Sequence, residues 1–120
     1  MKKFIFYKQP DQMDCGPTCL RMIGKHYGKN LNLQRIREIS GINREGVSLL
    51  GISDAAEKLG FRTLGSRMDL LILKKTDLPV ILHWDQNHFV ILYRIKKEVY
   101  YIADPARGLV EYSRSEFTSH

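Results

Sequence analysis

Residues 9–20 read QPDQMDCGPTCL, and this stretch decides the fold of the N-terminal half. Pro10 disfavours helical geometry at the residue before it, so the stretch begins as a loop. Asp14 is a suitable N-cap, and Cys15-Gly16-Pro17 then enters the first helical turn. Apolar residues and a terminal glycine follow at helical spacing: Cys19, Leu20, Ile23, Tyr27 and Gly28. The stretch therefore predicts a helix that begins near Cys15 and stops at the glycine.

The rest of the chain separates into a helical part and a strand part. Two further helices are predicted, one over residues 32–40 and one from near Ser48 to Gly60. After Gly60, short apolar runs alternate with polar turns, which is typical of antiparallel strands. The predicted strands cover residues 61–64, 80–84, 88–95, 99–103 and 109–112. This order predicts a single α+β domain over residues 1–120, with a helical N-terminal half packed on an antiparallel β-sheet in the C-terminal half.

The composition excludes several classes of protein. Hydrophobic residues make up 43% of the 120 residues and charged residues 27%, which is typical of a globular chain. The longest apolar run, residues 89–93, is far shorter than the ~20 residues of a membrane-spanning helix. Residues 4–7 are too few for the apolar region of a signal peptide. The net charge of +6 is spread without a basic patch interleaved with aromatic residues, so no nucleic acid partner is predicted.

Cys15 and Cys19 are the two cysteines of the chain, and without a secretion signal they indicate a reducing compartment. Three residues separate them, so they do not form the Cys-x-x-Cys motif of a thioredoxin-type redox pair. The four histidines do not show the spacing of zinc ligands. We therefore predict no metal site and no cofactor, and we expect each thiol to serve either packing or chemistry.

Cys15 is the better candidate for a nucleophile because it lies where the first helical turn begins. The thiolate is the reactive form of cysteine, and the unpaired N–H groups of a helix N-terminus favour its negative charge. Cys19 lies one turn later on the apolar face, so we expect it to pack in the core. A cysteine nucleophile also needs an imidazole that is oriented by a third group.

His88 and Asp104 can supply the imidazole and the third group. His88 begins an apolar strand and Asp104 ends the next one. If a three-residue turn over residues 96–98 joins the strands, His88 lies directly or diagonally opposite Asp104 on one face of the sheet. Asp104 can then hold a ring N–H of His88 and stabilise the imidazolium. Each residue alone has an ordinary structural explanation, so the prediction of a Cys–His–Asp site depends on their joint placement.

Attack on a carbonyl also needs hydrogen-bond donors for the oxyanion that develops. Gln9 and Gln12 both lie in the loop before the first helix, and either side-chain amide can act together with the Cys15 backbone N–H. The spacing of the chain does not separate these two candidates.

The motifs around these residues resemble those of the bacteriocin-processing double-glycine peptidases, papain-like cysteine proteases that are usually fused to the N-terminus of ABC exporters. The likeness runs through nearly the whole chain in the expected order. The matching segments are residues 9–20, 27–29, 46–49, 56–61, 79–81, 88–92 and 102–108, with Asp-Cys-Gly-Pro and Ala-Asp-Pro as the most specific pieces. The family domain normally continues further, so we expect this chain to be truncated at its C-terminus relative to the family.

The resemblance implies a papain-like fold and a role for each site residue. Cys15 corresponds to the nucleophile, and His88 to the general base that later acts as an acid. Asp104 corresponds to the carboxylate that orients the imidazole. The oxyanion glutamine of the family stands six residues before its cysteine, which is the position of Gln9 and not of Gln12.

The resemblance also implies a cysteine endopeptidase that cleaves the leader of a precursor peptide after a Gly-Gly or Gly-Ala motif during export. The implied partners are that precursor peptide and the membrane and ATPase domains of an ABC exporter, either fused or separate. The implied location is the cytoplasmic face of the bacterial inner membrane. Two alternatives remain, a non-catalytic leader-binding module of an exporter and a papain-like hydrolase of another specificity.

Overall fold

The computed structural model describes residues 4–41, 48–61, 78–84 and 88–119. In chain order the helices are α1 (Cys15–His26), α2 (Leu33–Ser40), α3 (Leu49–Lys58) and α4 (Arg114–Thr118). The strands are β1 (Val80–Trp84), β2 (His88–Lys96), β3 (Val99–Asp104) and β4 (Gly108–Ser113). The predicted division into a helical half and an antiparallel sheet is confirmed. The strand predicted at residues 61–64 lies almost entirely outside the described residues.

Local signals start α2 and α3 and end α2. The Asn32 side chain accepts a hydrogen bond from the backbone N–H of Arg35 at 3.2 Å, and Gly41 ends α2 in the left-handed conformation. The Ser48 hydroxyl caps α3 by accepting from the N–H of Gly51 at 3.0 Å. Within the described ranges, none of the helices is long and apolar enough to cross a membrane.

The capping role predicted for Asp14 is wrong. Asp14 occupies the N-cap position of α1, but its side chain makes no cap hydrogen bond. The third residue of the helix is Pro17, which has no backbone N–H to offer a capping carboxylate. The Asp14 carboxylate instead forms an ion pair with Arg37 of α2.

The four strands form an antiparallel sheet in the order β1-β2-β3-β4. The predicted three-residue turn between β2 and β3 is wrong, because Lys96 pairs with Val99 and only two residues connect the strands. These residues, Lys97 and Glu98, have φ values of 50° and 65°, the signs expected of a type I′ hairpin turn.

A β-bulge at Tyr93 corrects the register that this short turn would otherwise produce. Arg94 pairs with Tyr101, but Leu92 pairs with Ile102, so Tyr93 is an extra residue in β2. Without it, His88 and Asp104 would lie on opposite faces of the sheet, since a shift of one residue reverses every side chain. The bulge places His88 diagonally across from Asp104 on the same face, as the sequence predicted.

Two apolar clusters pack on the two sides of the sheet. The larger lies between the sheet and the helices, and α1 contacts β2 at its centre. Its buried members include Cys19, Leu20, Met22, Ile36, Ile52, Phe89 and Ile91. The smaller cluster comprises Trp84, Val90, Leu92, Tyr100, Ile102 and Phe117. The larger cluster fixes the position of α1, and with it the position of Cys15.

Sequence analysis missed α4, which supplies Phe117 to the smaller cluster. A capping box starts this helix: the Ser113 hydroxyl accepts from the N–H of Glu116, and the Glu116 carboxylate accepts from the N–H of Ser113. The Phe117 ring stacks on Tyr100 with the ring centroids 4.3 Å apart. The helix has only five residues, too few to show an amphipathic period.

Candidate active site

Cys15 is the first residue of α1, where the helix N-terminus meets the start of β2. Its side chain is nearly buried, and the backbone N–H groups of Gly16 and Phe89 donate to the sulfur. Gly16 allows this close approach of α1 to its neighbours. A Cβ atom built at Gly16 would lie 2.6 Å from Cδ1 of Ile52 and 3.3 Å from Cδ2 of Phe89.

His88 connects the thiol to a buried carboxylate. Its Nε2 atom lies 2.8 Å from Oδ1 of Asp104, and its other ring nitrogen, Nδ1, is left for the hydrogen bond with Cys15. Asp104 is only 3% exposed, and the backbone N–H of Ala106 also donates to its Oδ1 at 2.9 Å. The structure therefore brings Cys15, His88 and Asp104 into one hydrogen-bonded line.

The electrostatics of this line favour a thiolate next to an imidazolium. The hydrogen bonds with Asp104 and Cys15, together with their charges, raise the pKa of His88 to about 9 in spite of burial. Burial raises the pKa of Cys15, but hydrogen bonds from His88 and Phe89 and the charge of His88 outweigh it, so the net pKa is lowered. Burial likewise raises the pKa of Asp104, and the hydrogen bonds from His88 and Ala106 lower it further than burial raises it.

Cys19 lies in the core and is fully buried, as predicted. Burial raises the pKa of its thiol well above the usual value, and the nearby Cys15 and Asp104 raise it further. A thiol in this state is a poor nucleophile. No disulfide joins it to Cys15.

Gln9 lies beside the end of β3 that carries Asp104. Its backbone N–H donates to the carbonyl of Pro105 at 2.9 Å, which attaches the N-terminal segment to the end of β3. Its side-chain Nε2 donates to the carbonyl of Asp11 at 2.8 Å, while Oε1 is buried without a hydrogen-bond partner. Gln12, the rival candidate, lies exposed in the turn before α1. Among the described residues, no group of three or more His, Cys, Asp and Glu side chains is arranged to hold a metal ion.

Sequence reasoning missed the Asp14–Arg37 ion pair that flanks this site. The two residues are 23 positions apart and lie on different elements, so no local spacing connects them. The sequence gives only one indication of it: Pro17, three positions after Asp14, has no N–H for an Asp14 cap to bind.

Comparison with known proteins identifies the family. The Peptidase C39 family model matches residues 3–120. The chain belongs to the Peptidase C39 family. It is 38% identical to the lactococcin-G-processing and transport ATP-binding protein LagD of Lactococcus lactis subsp. lactis, over 98% of this chain. It is 39% identical to the colicin V secretion/processing ATP-binding protein CvaB of Escherichia coli, over 93% of this chain. The C39 chain spans only 17% and 16% of the lengths of these two relatives.

Solved C39 structures share the fold. A double glycine motif protease from an AMS/PCAT transporter, in complex with the leader peptide, superposes with a TM-score of 0.91 at 35% identity, covering 98% of this chain and 84% of that one. The peptidase domain of Streptococcus ComA, a bi-functional ABC transporter involved in quorum sensing, gives a TM-score of 0.88 at 29% identity, with coverages of 98% and 92%. The predicted papain-like α+β fold is therefore confirmed.

Proposed function

We propose that this chain is a cysteine endopeptidase that cleaves the leader of a precursor peptide after a Gly-Gly type motif. The observation that supports it best is the line of Cys15, His88 and Asp104 at the N-terminus of α1, with the raised pKa of His88 and the lowered pKa of Cys15. A peptidase of this kind needs an ionised sulfur beside a proton donor, and these shifts favour that state.

In the proposed reaction the Cys15 thiolate attacks the carbonyl carbon of the scissile bond. The oxyanion accepts hydrogen bonds from the Cys15 backbone N–H and from the Gln9 side chain, whose Nε2 has a second N–H beyond the one that it donates to Asp11. His88 donates its proton to the leaving amine, and the downstream peptide departs. Asp104 holds the ring through Nε2 and stabilises the imidazolium before this transfer.

The second half of the reaction releases the leader. A water molecule attacks the thioester carbonyl while His88 accepts a proton from it. The C–S bond then breaks, so that the leader leaves with a free carboxylate and the Cys15 thiolate is regenerated beside a protonated His88. Cys19 takes no part, because its thiol is buried in the core.

The substrate class is supported by the relatives. Two of them are named for processing and transport of lactococcin G and for secretion and processing of colicin V, and one structural neighbour holds a leader peptide. We propose that this chain acts with the membrane and ATPase domains of an ABC exporter, fused or separate, at the cytoplasmic face of the membrane. Glycine before the scissile bond fits a narrow subsite that excludes large side chains.

Mass spectrometry of candidate precursor peptides, incubated with the wild-type protein and with Cys15→Ala, tests the proposal. We expect one cut after the double glycine with the wild type, none with Cys15→Ala, and most of the activity with the matched variant Cys19→Ala. Leader affinity without cleavage by the reduced protein would indicate a binding module instead. Equal cleavage when the glycine before the bond is replaced by a bulky residue would indicate a hydrolase of another specificity.

A further inference from the structure

The Asp14–Arg37 ion pair adjoins the proposed nucleophile in the sequence. Asp14 precedes Cys15 and is only 1% exposed. Arg37 of α2 binds its carboxylate with two hydrogen bonds: Nε donates to Oδ1 at 2.8 Å and a terminal guanidinium nitrogen donates to Oδ2 at 2.5 Å. This bidentate geometry holds the guanidinium and the carboxylate in place more strongly than a single hydrogen bond does. The pair also joins the start of α1 to α2.

Arg37 also determines where the Asp14 carboxylate points. An aspartate at an N-cap usually accepts hydrogen bonds from the first N–H groups of the helix. In α1, few of these N–H groups are free to bind the Asp14 carboxylate. Pro17 has no N–H, and the N–H of Gly16 donates to the sulfur of Cys15. Since the carboxylate is held by Arg37, it does not compete with the sulfur for this donor.

We propose that Arg37 is a positioning residue that keeps Cys15 ionised by neutralising Asp14 and holding it away from the helix N-terminus. This inference rests on the proposed role of Cys15 as the nucleophile. Without Arg37, a buried carboxylate next to Cys15 would oppose the negative charge of the thiolate. The same carboxylate would be drawn to the N–H of Gly16, one of the first N–H groups of α1.

Other charged groups act on Cys15 or on its neighbours, and the test must leave them unchanged. The charge of His88 acts on Cys15, while Cys15 and Asp104 act on Cys19 and Arg107 acts on Asp104. Asp11 faces Arg37 from the loop before α1. None of these residues is altered in the variants below.

The experiment measures the alkylation rate of Cys15 by iodoacetamide as a function of pH, with the modified residue located by mass spectrometry. The variants are Arg37→Met and the matched control Arg35→Met, which removes the same charge from an exposed position of α2. We expect Arg37→Met to move the midpoint upward by about one pH unit, so that alkylation below the midpoint is about tenfold slower than in the wild type. Arg35→Met should match the wild type.

The double variant Asp14→Asn/Arg37→Met separates electrostatics from a purely mechanical link between the helices. It lacks the ion pair but also lacks the unpaired carboxylate, so its alkylation profile should return most of the way to that of the wild type. A double variant as slow as Arg37→Met would overturn the proposal, and so would an Arg37→Met profile equal to that of Arg35→Met. If Arg37→Met does not fold, Arg37→Gln is compared with Arg35→Gln under the same criteria.

Alkylation reports the ionisation of Cys15 and needs no peptide substrate. A shifted profile together with a protein that cleaves no precursor would therefore refute the proposed function and leave the role of Arg37 standing. Cleavage of the precursor with an unshifted profile would refute the role of Arg37 alone.

Discussion

His88 lies between a carboxylate and a thiol, and its charge connects the two. The Asp104 carboxylate, 2.8 Å from Nε2, is the main cause that raises its pKa to about 9. The protonated ring in turn lowers the pKa of Cys15. Because each group stabilises the charge of its neighbour, the proton that the leaving amine needs is already on the ring at neutral pH.

These shifts predict the pH dependence of peptide cleavage. We expect kcat/KM to rise as Cys15 loses its proton, because only the thiolate attacks, and to fall as pH passes about 9, because His88 then loses the proton that it must donate. Asp104→Asn removes the main cause of the raised pKa, so its alkaline limb should lie at lower pH. The measurement is kcat/KM against pH for both proteins, and an alkaline limb unchanged by Asp104→Asn would contradict this assignment.

At the scale of elements, the sequence predicts features that depend on neighbouring residues but not features that depend on residues far apart in the chain. Asn32 and Ser48 act as caps where sequence placed helix starts, because a cap needs only neighbours in the chain. The bulge at Tyr93 has no comparable signal, since it depends on which residues of β3 lie opposite. His88 and Asp104 were nevertheless placed together correctly, because the predicted turn length was wrong by one residue and the bulge adds one residue back.

The contact of α1 with α3 and β2 leaves little room for a side chain at Gly16. We predict that Gly16→Ala lowers the free energy of unfolding by about 2 kcal/mol, because its Cβ would lie 2.6 Å from Cδ1 of Ile52. Chemical denaturation measures the loss. Ile52→Val removes the Cδ1 atom, so it should be less destabilising in the Gly16→Ala background than in the wild type. If the two losses in free energy of unfolding were additive, the contact with Ile52 would not be the cause of the destabilisation by Gly16→Ala.

At the scale of the whole molecule, the sheet separates the core that contains Cys15 from a second core. Cys15 and Cys19 belong to the cluster between the sheet and the helices, whereas Phe117 belongs to the cluster on the other side. Sequence patterns assign apolar residues to a core, but they do not show that both faces of the sheet are packed. The helix that contributes to the second core, α4, is too short to show an amphipathic pattern. Substitutions in the second core should therefore lower the free energy of unfolding without changing the ionisation of Cys15.

Phe117→Ala tests this separation. Its ring stacks on Tyr100 and also lies edge-on to Trp84, with the centroids 5.9 Å apart, so we expect the free energy of unfolding to fall by about 3 kcal/mol. The matched control Leu109→Ala, at a half-exposed position of β4, should change it by less than about 1 kcal/mol. The pH profile of Cys15 alkylation in the folded variant should equal that of the wild type, because no group near the sulfur has changed. An altered profile would mean that the two faces of the sheet are coupled, and equal losses in the two variants would mean that α4 does not close the second core.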